Sequence, residues 1–407
     1  MIQKLNINNT NIYFQRDTNL PMVDIQLNFR AGSAFDDRLN GLADLAVSLF
    51  ATKTKSSTEQ ELINKITDIG ASIHAETSKE FFCVKVRILS ESHVLDQTMT
   101  ILREIFTEPD FDENILEREK LQTLTHIDYL HKQSTYLASL EFSKQLFAEN
   151  PYSHPTIGYK SSIQKITIKD ITNFYNKYIC ASNANICVVG DISKSDTQKL
   201  AKEIINSLHK GQANTQNFIQ LPAKPIIVEK QFSSNQTSIL IGHQLLVDIL
   251  DPLYFPLKLG DEILGGSGLN SLLFNKVREE LGLVYNISSN ANINPDYGSF
   301  VISAQTSNPN LALKTIKEVY EDFVYKKIDE ESVANTKKHI EGTHLLTSVK
   351  NSSKLSMLSS IANKELPLDF FDQYVENINS VTPAQINQAF QQIQKNAIVT
   401  VIVGDVK

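Results

Sequence analysis

Histidine is the first residue type to test for chemistry, because the chain has nine histidines and imidazole is the commonest metal ligand in proteins. The sequence contains no H-x-x-x-H and no H-x-x-E-H pattern. His126 and His131 are five residues apart, as are His339 and His344, and five residues turn a helix by about 500°, roughly 140° away from one face. Neither pair can hold one metal ion from a regular helix, so solvated or capping roles are predicted.

Other motifs with a known chemical mechanism are also missing from the sequence. There is no G-x-S-x-G nucleophile elbow, no P-loop and no dinucleotide-binding fingerprint. The three cysteines, Cys83, Cys180 and Cys187, form no C-x-x-C pair, which argues against a disulfide framework and against a zinc–thiolate site. We therefore predict that the cysteines are small buried residues.

One glycine cluster stands out from the rest of the chain. Gly265, Gly266 and Gly268 lie within four residues, at a spacing that fits neither phosphate-binding motif. Glycines of this kind let another backbone approach closely, and the alternative is a simple flexible turn. Both interpretations stay open from the residues alone.

Two hydrogen-bond donors follow the glycine cluster. A helix is predicted over residues 269–281, and Gly282 is well placed to end it and turn the chain into a strand. Arg278 offers five donors and no acceptor, and Tyr285 adds a hydroxyl. Together they could bind the backbone carbonyl groups of a peptide. The structural alternative is that Arg278 pairs with an acid on a solvated helix face while Tyr285 caps the core.

Composition is that of an ordinary globular protein. The chain has 407 residues, of which 41% are hydrophobic and 21% charged, and this length suits two or three domains. The net charge is −7 with no block of basic residues, so nucleic-acid binding is not expected. No apolar stretch approaches the ~20 residues of a membrane span, so membrane insertion is not expected either. Residues 1–30 show no signal-peptide pattern, which leaves the compartment open: cytoplasmic for the bare chain, periplasmic for a mature form.

An internal repeat indicates how the chain is organised. Residues 186–192, Ile-Cys-Val-Val-Gly-Asp-Ile, recur in similar form at residues 399–406. Before each copy lies a helical stretch opened by a threonine, Thr167 in the first and Thr382 in the second. The offset is 215 residues at the threonine and 214 at the Gly-Asp dipeptide. Two homologous halves of roughly 200 residues are predicted.

Each half is predicted to be an α+β sandwich, with an antiparallel-rich sheet covered by helices. We place the N-terminal domain at 1–210, the C-terminal domain at 226–407 and a polar linker at about 211–225. Strand and helix patterns are mixed instead of following a regular β-α-β order. The predicted strands lie at 23–29, 72–77, 80–90, 185–190, 237–243, 284–292 and 298–305. The predicted helices lie at 41–51, 58–70, 93–106, 113–148, 167–178, 254–264, 269–281, 309–325, 331–345 and 382–394.

The stretch 264–285 resembles the second-domain signature of the pitrilysin, insulinase and mitochondrial-processing-peptidase family of inverted zinc peptidases, R-E-x-x-G-L-x-Y after a glycine-rich loop. Three other features are similar to the same family: the Gly-Ser to Gly-Leu-Ala approach over residues 32–43, Glu-Arg-Glu-Lys at 117–120, and the Val-Gly-Asp ending of each half. The resemblance covers essentially the whole chain and implies two homologous domains that form a clamshell.

The chain departs from the family at the zinc motif. Catalytic members place H-x-x-E-H after the Gly-Leu-Ala and a further glutamate ligand on the long helix. In this chain the two histidine positions fall at Asp44 and Ser48, the base at Val47 and the distal glutamate at about His126, while the upstream acid Glu119 remains. Val47 cannot accept a proton and Ser48 is a poor zinc ligand. The resemblance therefore implies a chain with no metal and no peptidase activity of its own.

By resemblance, the chain is a non-catalytic subunit that binds unfolded peptide for a homologous zinc-bearing partner, and zinc is expected in that partner. Arg278 and Tyr285 would hold the substrate, and Gly265, Gly266 and Gly268 would let the backbone approach. The alternative is a structural or peptide-binding protein of the same fold with no peptidase partner. An enzyme with a displaced, unrecognised site is a third interpretation.

Overall fold

The computed structural model describes residues 2–219, 221–294, 297–347 and 349–406. It contains helices and two β-sheets rich in antiparallel pairs, which confirms the predicted α+β class. The strands are β1 (Gln3–Ile7), β2 (Thr10–Arg16), β3 (Met22–Phe29), β4 (Ser72–Thr77), β5 (Phe82–Leu89), β6 (Ala184–Gly190), β7 (Ile226–Gln231), β8 (Thr237–Gln244), β9 (Asn286–Asn292), β10 (Ser299–Thr306) and β11 (Ile398–Gly404). The helices are α1 (Leu42–Leu49), α2 (Glu59–Asp68), α3 (Ser92–Thr107), α4 (Glu113–Leu130), α5 (Ser134–Leu146), α6 (Lys160–Ile163), α7 (Ile168–Tyr178), α8 (Lys194–Ser207), α9 (Tyr254–Asp261), α10 (Pro309–Tyr325), α11 (Glu330–Thr347), α12 (Asn351–Asn363), α13 (Tyr374–Ser380) and α14 (Pro383–Ile393).

The sequence repeat is also a repeat in topology. The first sheet has the strand order β1-β2-β6-β3-β5-β4 and the second has β7-β11-β8-β10-β9. The pairs β2–β6 and β7–β11 are parallel, and the other described pairs are antiparallel. Once β1 is set aside, the two orders correspond strand for strand, with β6 and β11 as the repeated Val-Gly-Asp strands.

The glycine of each Val-Gly-Asp turn is required by close packing. Gly190 has φ +142°, and a Cβ there would lie 2.2 Å from the carbonyl oxygen of Met22. Gly404 has φ +155°, and a Cβ there would lie 2.5 Å from the Cα of Thr237. No L side chain fits either position, so the repeated dipeptide has a structural cause in both sheets.

The chain forms two compact units, each assembled from three segments. Unit 1 contains the residues up to Ile127 together with Pro155–Gln216 and Leu345–Phe371, and unit 2 contains Asp128–His154, Asn217–His344 and the residues from Asp372 onward. The chain passes from unit 1 to unit 2 after Gln216, within the predicted linker at 211–225. The domains at 1–210 and 226–407 describe the sequence repeat and stay a proposal, whereas the packing places α12 with the first sheet and α5 with the second.

Helix α12 covers a polar face of the first sheet. Alternate residues of β3 are apolar and buried on one face, while Gln26 and Asn28 point from the other face and are also buried. The Gln26 amide donates to Asn28 Oδ1 at 2.7 Å and to Ser359 Oγ at 3.0 Å, and the Ser359 hydroxyl donates to Asn28 Oδ1 at 3.1 Å. Buried amides must be hydrogen-bonded to avoid a desolvation cost, so this network specifies where α12 docks.

The single helix predicted over 113–148 is wrong, because the chain turns between α4 and α5. The N–H of Lys132 donates to the carbonyl of Tyr129 at 3.1 Å, which ends the helical pattern. The break lets α5 pack on β8 and β11, where the hydroxyls of Ser134 and Ser238 lie 2.9 Å apart. No proline or glycine marks this break in the sequence; it is set by the tertiary contacts of α5.

The remaining differences concern elements with weak local patterns. The elements not predicted from the sequence are β1, β2, β7, α6, α8, α12 and α13. Regular helix was predicted at 254–264 and 269–281, where the chain widens into π-helical turns at Glu262–Gly266 and Phe274–Glu280. The three cysteines are buried, as predicted. None of the described helices is both long enough and apolar enough to cross a membrane.

Candidate functional site

Arg278 and Tyr285 lie together at the surface of unit 2. The Cζ atom of Arg278 is 4.7 Å from the ring centroid of Phe274 and 6.0 Å from that of Tyr285. Guanidinium groups are attracted to aromatic faces at these distances. The Tyr285 side chain is 67% exposed, so its ring contacts Arg278 without being part of the core.

The backbone that holds this pair is a π-helical turn followed by a glycine stop. The turn spans Phe274–Glu280, and the N–H of Gly282 then donates to the carbonyl of Arg278 at 3.0 Å. Three residues later the N–H of Tyr285 donates to the carbonyl of Gln305 at 2.8 Å, which leads the chain into β9. The π-helical turn, Gly282 and β9 thus bring the side chains of Arg278 and Tyr285 near each other. π-helical turns are frequent at functional sites.

Arg278 does not pair with an acid in the described part of the chain. The nearest ion pair on the same turn joins Lys276 to Glu280, with Nζ and Oε2 2.7 Å apart. The structural alternative predicted a salt bridge between Arg278 and an acid on a solvated helix face. On this turn it is Lys276 that forms such a salt bridge, with Glu280. With aromatic rings as its neighbours, the guanidinium keeps N–H donors that can bind an incoming group.

The three glycines before this turn differ in their surroundings. Gly265 is buried, and a Cβ there would lie 2.4 Å from the backbone nitrogen of Ser289. Gly268 has φ +61° and open space around it, and Gly266 is exposed. Gly265 is therefore required by packing against β9, and Gly268 lies on open backbone. A Cβ at Gly266 would lie 3.3 Å from the carbonyl oxygen of Asp261.

Asp261 anchors the glycine stretch, and the sequence analysis missed it. Its carboxylate is buried and accepts hydrogen bonds from the hydroxyl of Ser289 at 2.6 Å and from the N–H of Ala291 at 2.9 Å. Burial raises the pKa of Asp261 above its ordinary value, and the two hydrogen bonds partly oppose that rise. The available signal was a lone acid at the end of an apolar helix, four residues before Gly265.

The positions that the family resemblance assigns to a zinc motif lie in unit 1, on α1 and α4. Asp44 interacts electrostatically with His126, and burial raises the pKa of Asp44 to about 6, an effect that His126 partly offsets. Ser48 donates its hydroxyl hydrogen bond to the Asp44 carbonyl at 3.2 Å. Glu119 is bound by the guanidinium of Arg118, with 3.0 Å between Oε1 and Nε.

These residues do not fit a catalytic zinc ion. Such a site needs three protein ligands and a proton acceptor beside the bound water. Asp44 and His126 supply two ligand types at most, because the Ser48 hydroxyl is bound to a helix carbonyl, Val47 has no acceptor and the Glu119 carboxylate is bound by Arg118. In the described ranges no group of three His, Cys, Asp or Glu side chains is placed to hold a metal.

A second buried acid, Asp36, holds the beginning of α1 and was also missed. Its two carboxylate oxygens accept the N–H groups of Gly41 at 2.7 Å and Ala43 at 2.8 Å. Burial raises the pKa of Asp36 to about 7 and lowers that of the nearby Lys79 to about 8. The role of this pair is structural, since Asp36 satisfies backbone donors at the helix end.

The pKa of Asp44 leads to a testable pH dependence of stability. Its folded-state pKa of about 6 lies above the ordinary value of 3.8, so the folded chain binds a proton that the unfolded chain has lost between these pH values. The contribution of Asp44 to stability therefore falls as pH rises from about 4 to 6 and stays low above that. We expect Asp44→Asn to raise the free energy of unfolding by on the order of 1 kcal/mol at pH 8 and by much less at pH 4.5.

Urea unfolding of both proteins at the two pH values measures this difference. Glu321→Gln on α10 is a matched control, because this carboxylate is exposed and its loss should give no pH-dependent gain. A stabilisation by Asp44→Asn that is the same at both pH values would contradict the assignment.

The comparisons with known proteins identify the family. The family model for insulinase (peptidase family M16) matches residues 11–160, and the model for the peptidase M16 inactive domain matches residues 165–340. The two matches together span most of the chain, and the second begins within the first half of the repeat.

Similar proteins and a similar solved structure also carry names of this family. The non-peptidase homolog YmxG of Helicobacter pylori is 25% identical over 95% of this chain and 89% of its own length. A probable mitochondrial-processing peptidase subunit beta of Arabidopsis thaliana is 23% identical over 46% of this chain and 35% of its own length. The crystal structure of a peptidase M16 inactive domain from Pseudomonas fluorescens superimposes with a TM-score of 0.95 and 26% identity, covering 100% of this chain and 98% of that one. The chain therefore belongs to the M16 peptidase family, as an inactive member without the H-x-x-E-H motif.

Proposed function

We propose that this chain is the non-catalytic subunit of a two-chain zinc peptidase, in which it binds unfolded peptide and positions it for a homologous zinc-bearing partner. The observation that carries the proposal is the Arg278 guanidinium, which lies near the rings of Phe274 and Tyr285 and has no carboxylate partner within the described residues. A donor group without a carboxylate partner at the surface of unit 2 is suited to hold the backbone of a peptide.

The chemistry of this arrangement is the presentation of fixed donors to carbonyl oxygens. Arg278 offers the N–H groups of a guanidinium that lies near two aromatic rings, and the Tyr285 hydroxyl adds a further donor. Donors that are in place before the substrate arrives require little reorganisation when charge develops on a carbonyl oxygen. They also limit the orientations available to the peptide.

The partner must supply the groups that break the peptide bond. The zinc-motif positions of this chain, Asp44, Val47 and Ser48, provide neither three ligands nor a base. A relative from Arabidopsis thaliana is named as a subunit of a processing peptidase, which supports an assembly of homologous chains. These features support a pair in which one chain binds zinc and the other chain supplies substrate-binding donors.

Reconstitution tests the proposal. The chain is co-expressed with an M16 chain from the same genome that carries H-x-x-E-H, and cleavage of a fluorescent unfolded peptide is measured for each chain alone and for the pair. We expect activity only in the pair, with zinc bound to the partner and not to this chain.

The control pair carries a glutamine in place of the partner's motif glutamate and should be inactive although the two chains still associate. Peptide binding without activity in any pairing would favour the alternative, a peptide-binding protein with no peptidase partner. Stoichiometric zinc in the isolated chain, together with cleavage by it alone, would overturn the proposal.

A further inference from the structure

A cavity in unit 1 lies apart from the positions discussed so far. It has a volume of about 310 Å³ and opens between α3 and α8, at the end of the first sheet where β2 and β6 finish. Its lining combines charged and hydroxyl side chains with apolar ones. Small-molecule sites in proteins begin at about this size and have this mixture of an apolar wall with a few polar groups.

The charged groups at the cavity are close to opposite charges but do not bind them tightly. Arg16 and Asp191 are 3.7 Å apart, and Lys199 on α8 and Asp96 on α3 are 3.6 Å apart. Charge-assisted hydrogen bonds have N···O distances of roughly 2.7–2.9 Å. None of these four side-chain charged groups has a hydrogen-bond partner among the described residues, so all four keep bonding capacity for a ligand.

The corresponding turn in unit 2 is closed by a direct hydrogen bond. There Gln231, the last residue of β7 as Arg16 is of β2, donates its amide N–H to Asp405 Oδ1 at 3.1 Å. Asp405 belongs to the second Val-Gly-Asp turn and is equivalent to Asp191 of the first. Unit 1 thus has an arginine–aspartate pair at 3.7 Å where unit 2 has an amide–carboxylate hydrogen bond at 3.1 Å.

The inner part of the cavity is apolar. Met99, Ile192 and Leu200 line it and are each no more than 6% exposed, while the charged residues at the opening are largely exposed. Two further acids, Asp196 and Glu203, also line the cavity, and the Asp196 carboxylate accepts a hydrogen bond from the Ser193 hydroxyl at 2.6 Å. An apolar wall beneath charged groups of both signs suits a small molecule with a positive group, a negative group and an apolar side chain. A purely anionic or purely cationic ligand would meet like charges at the opening.

We propose that this cavity binds a small zwitterion with an apolar side chain, an aliphatic amino acid or a dipeptide of such residues. Arg16 binds the carboxylate, because its planar guanidinium matches a carboxylate with two parallel hydrogen bonds. Asp96 binds the ammonium group, and the aliphatic side chain contacts Met99 and Leu200. The site is separate from the one proposed for unfolded peptide in unit 2, and it does not depend on that proposal.

The affinity expected for such a ligand is modest. Leucine has nine heavy atoms, and at an ordinary ligand efficiency its dissociation constant is on the order of 1 mM, with a dipeptide somewhat tighter. The effect of binding is a concentration-dependent rise in melting temperature, since a ligand that binds only the folded state stabilises it.

The experiment is titration of the full chain with L-leucine and, separately, with L-leucyl-L-leucine, followed by calorimetry and by thermal unfolding. We expect saturable binding of at least one of the two, and the comparison tells an amino-acid site from a dipeptide site. N-acetyl-L-leucine amide has the same side chain without charges and should not bind. Arg16→Gln and Asp96→Asn should each weaken binding by about tenfold or more, because each removes a charge-assisted hydrogen bond.

Lys202→Gln is the matched control, because Lys202 is an exposed cation on α8 that does not line the cavity. It should leave the affinity unchanged. Absence of binding by both zwitterions to the wild-type chain would overturn the inference, as would equal binding of the uncharged analogue. Binding that persists in Arg16→Gln and Asp96→Asn would place the ligand elsewhere and would overturn it as well.

Discussion

The double substitution Arg278→Ala and Tyr285→Phe should lower the peptidase activity of the reconstituted pair by two or more orders of magnitude, because one lost oxyanion-type donor typically costs ~10²–10³ in rate. The melting temperature of this chain should change little. Arg278 is half-buried and Tyr285 is 67% exposed, and an exposed cation–π contact contributes only about 0.5–1 kcal/mol. The measurement is kcat/KM on an unfolded peptide, with complex formation checked by gel filtration.

Two matched substitutions show whether the effect is specific. Lys276→Ala removes a neighbouring cation from the same π-helical turn, where it pairs with Glu280, and should leave activity nearly unchanged. Tyr325→Phe removes the hydroxyl of another tyrosine that is 66% exposed, and should also be neutral for activity. Full activity of the double variant in an intact complex would contradict a substrate-binding role for Arg278 and Tyr285. Loss of folding would show that the two side chains support the fold.

The single change Tyr285→Phe separates two contributions of this residue. It keeps the ring beside the Arg278 guanidinium and removes only the hydroxyl. A loss of activity in this variant would therefore show that the hydroxyl acts as a donor. An unchanged rate would show that Tyr285 contributes to activity only through its contact with Arg278.

Helices and strands of this chain were predictable where apolar residues recur at helix or strand spacing. β3 and the helices α1, α3 and α10 carry apolar residues at strand or helix spacing, and they lie within one or two residues of their predicted bounds. The proximity of Arg278 and Tyr285 was predictable because Gly282 ends the turn between them. The repeated Gly-Asp turns were recognisable because close packing at Gly190 and Gly404 excludes any side chain.

The features that were not predictable depend on contacts between distant segments. Nothing in the local pattern of α12 shows that Ser359 will bond to Gln26, 333 residues away. The π-helical turn at Glu262–Gly266 adjoins Asp261, whose carboxylate is bound by β9, and a carboxylate buried in this way cannot be recognised from its neighbours in sequence. The break before α5 likewise reflects where α5 packs. Periodicity reports which face of an element is buried, but not what buries it.

Helix α12 lies in the second sequence repeat but packs in unit 1, so its removal should strongly destabilise unit 1. A fragment of residues 1–210 corresponds to the first sequence repeat and lacks α12, so the buried polar face of β3 would be open to water. We expect this fragment to show no cooperative thermal transition by circular dichroism. A fusion of residues 1–216 to residues 345–371 through a flexible glycine–serine linker restores the missing segment of unit 1 and should regain a cooperative transition.

A point substitution tests the same contact in the full chain. Leu358 on α12 is fully buried, and Leu358→Ala should destabilise unit 1 by about 2–5 kcal/mol through lost burial and the cavity left behind. Ser356→Ala, two residues earlier on an exposed face of the same helix, is the matched control and should change stability by less than about 0.5 kcal/mol. Urea unfolding measures both. A fragment 1–210 that unfolds cooperatively without α12, and a full chain that tolerates Leu358→Ala, would together show that the first sheet does not need the helix contributed by the second repeat.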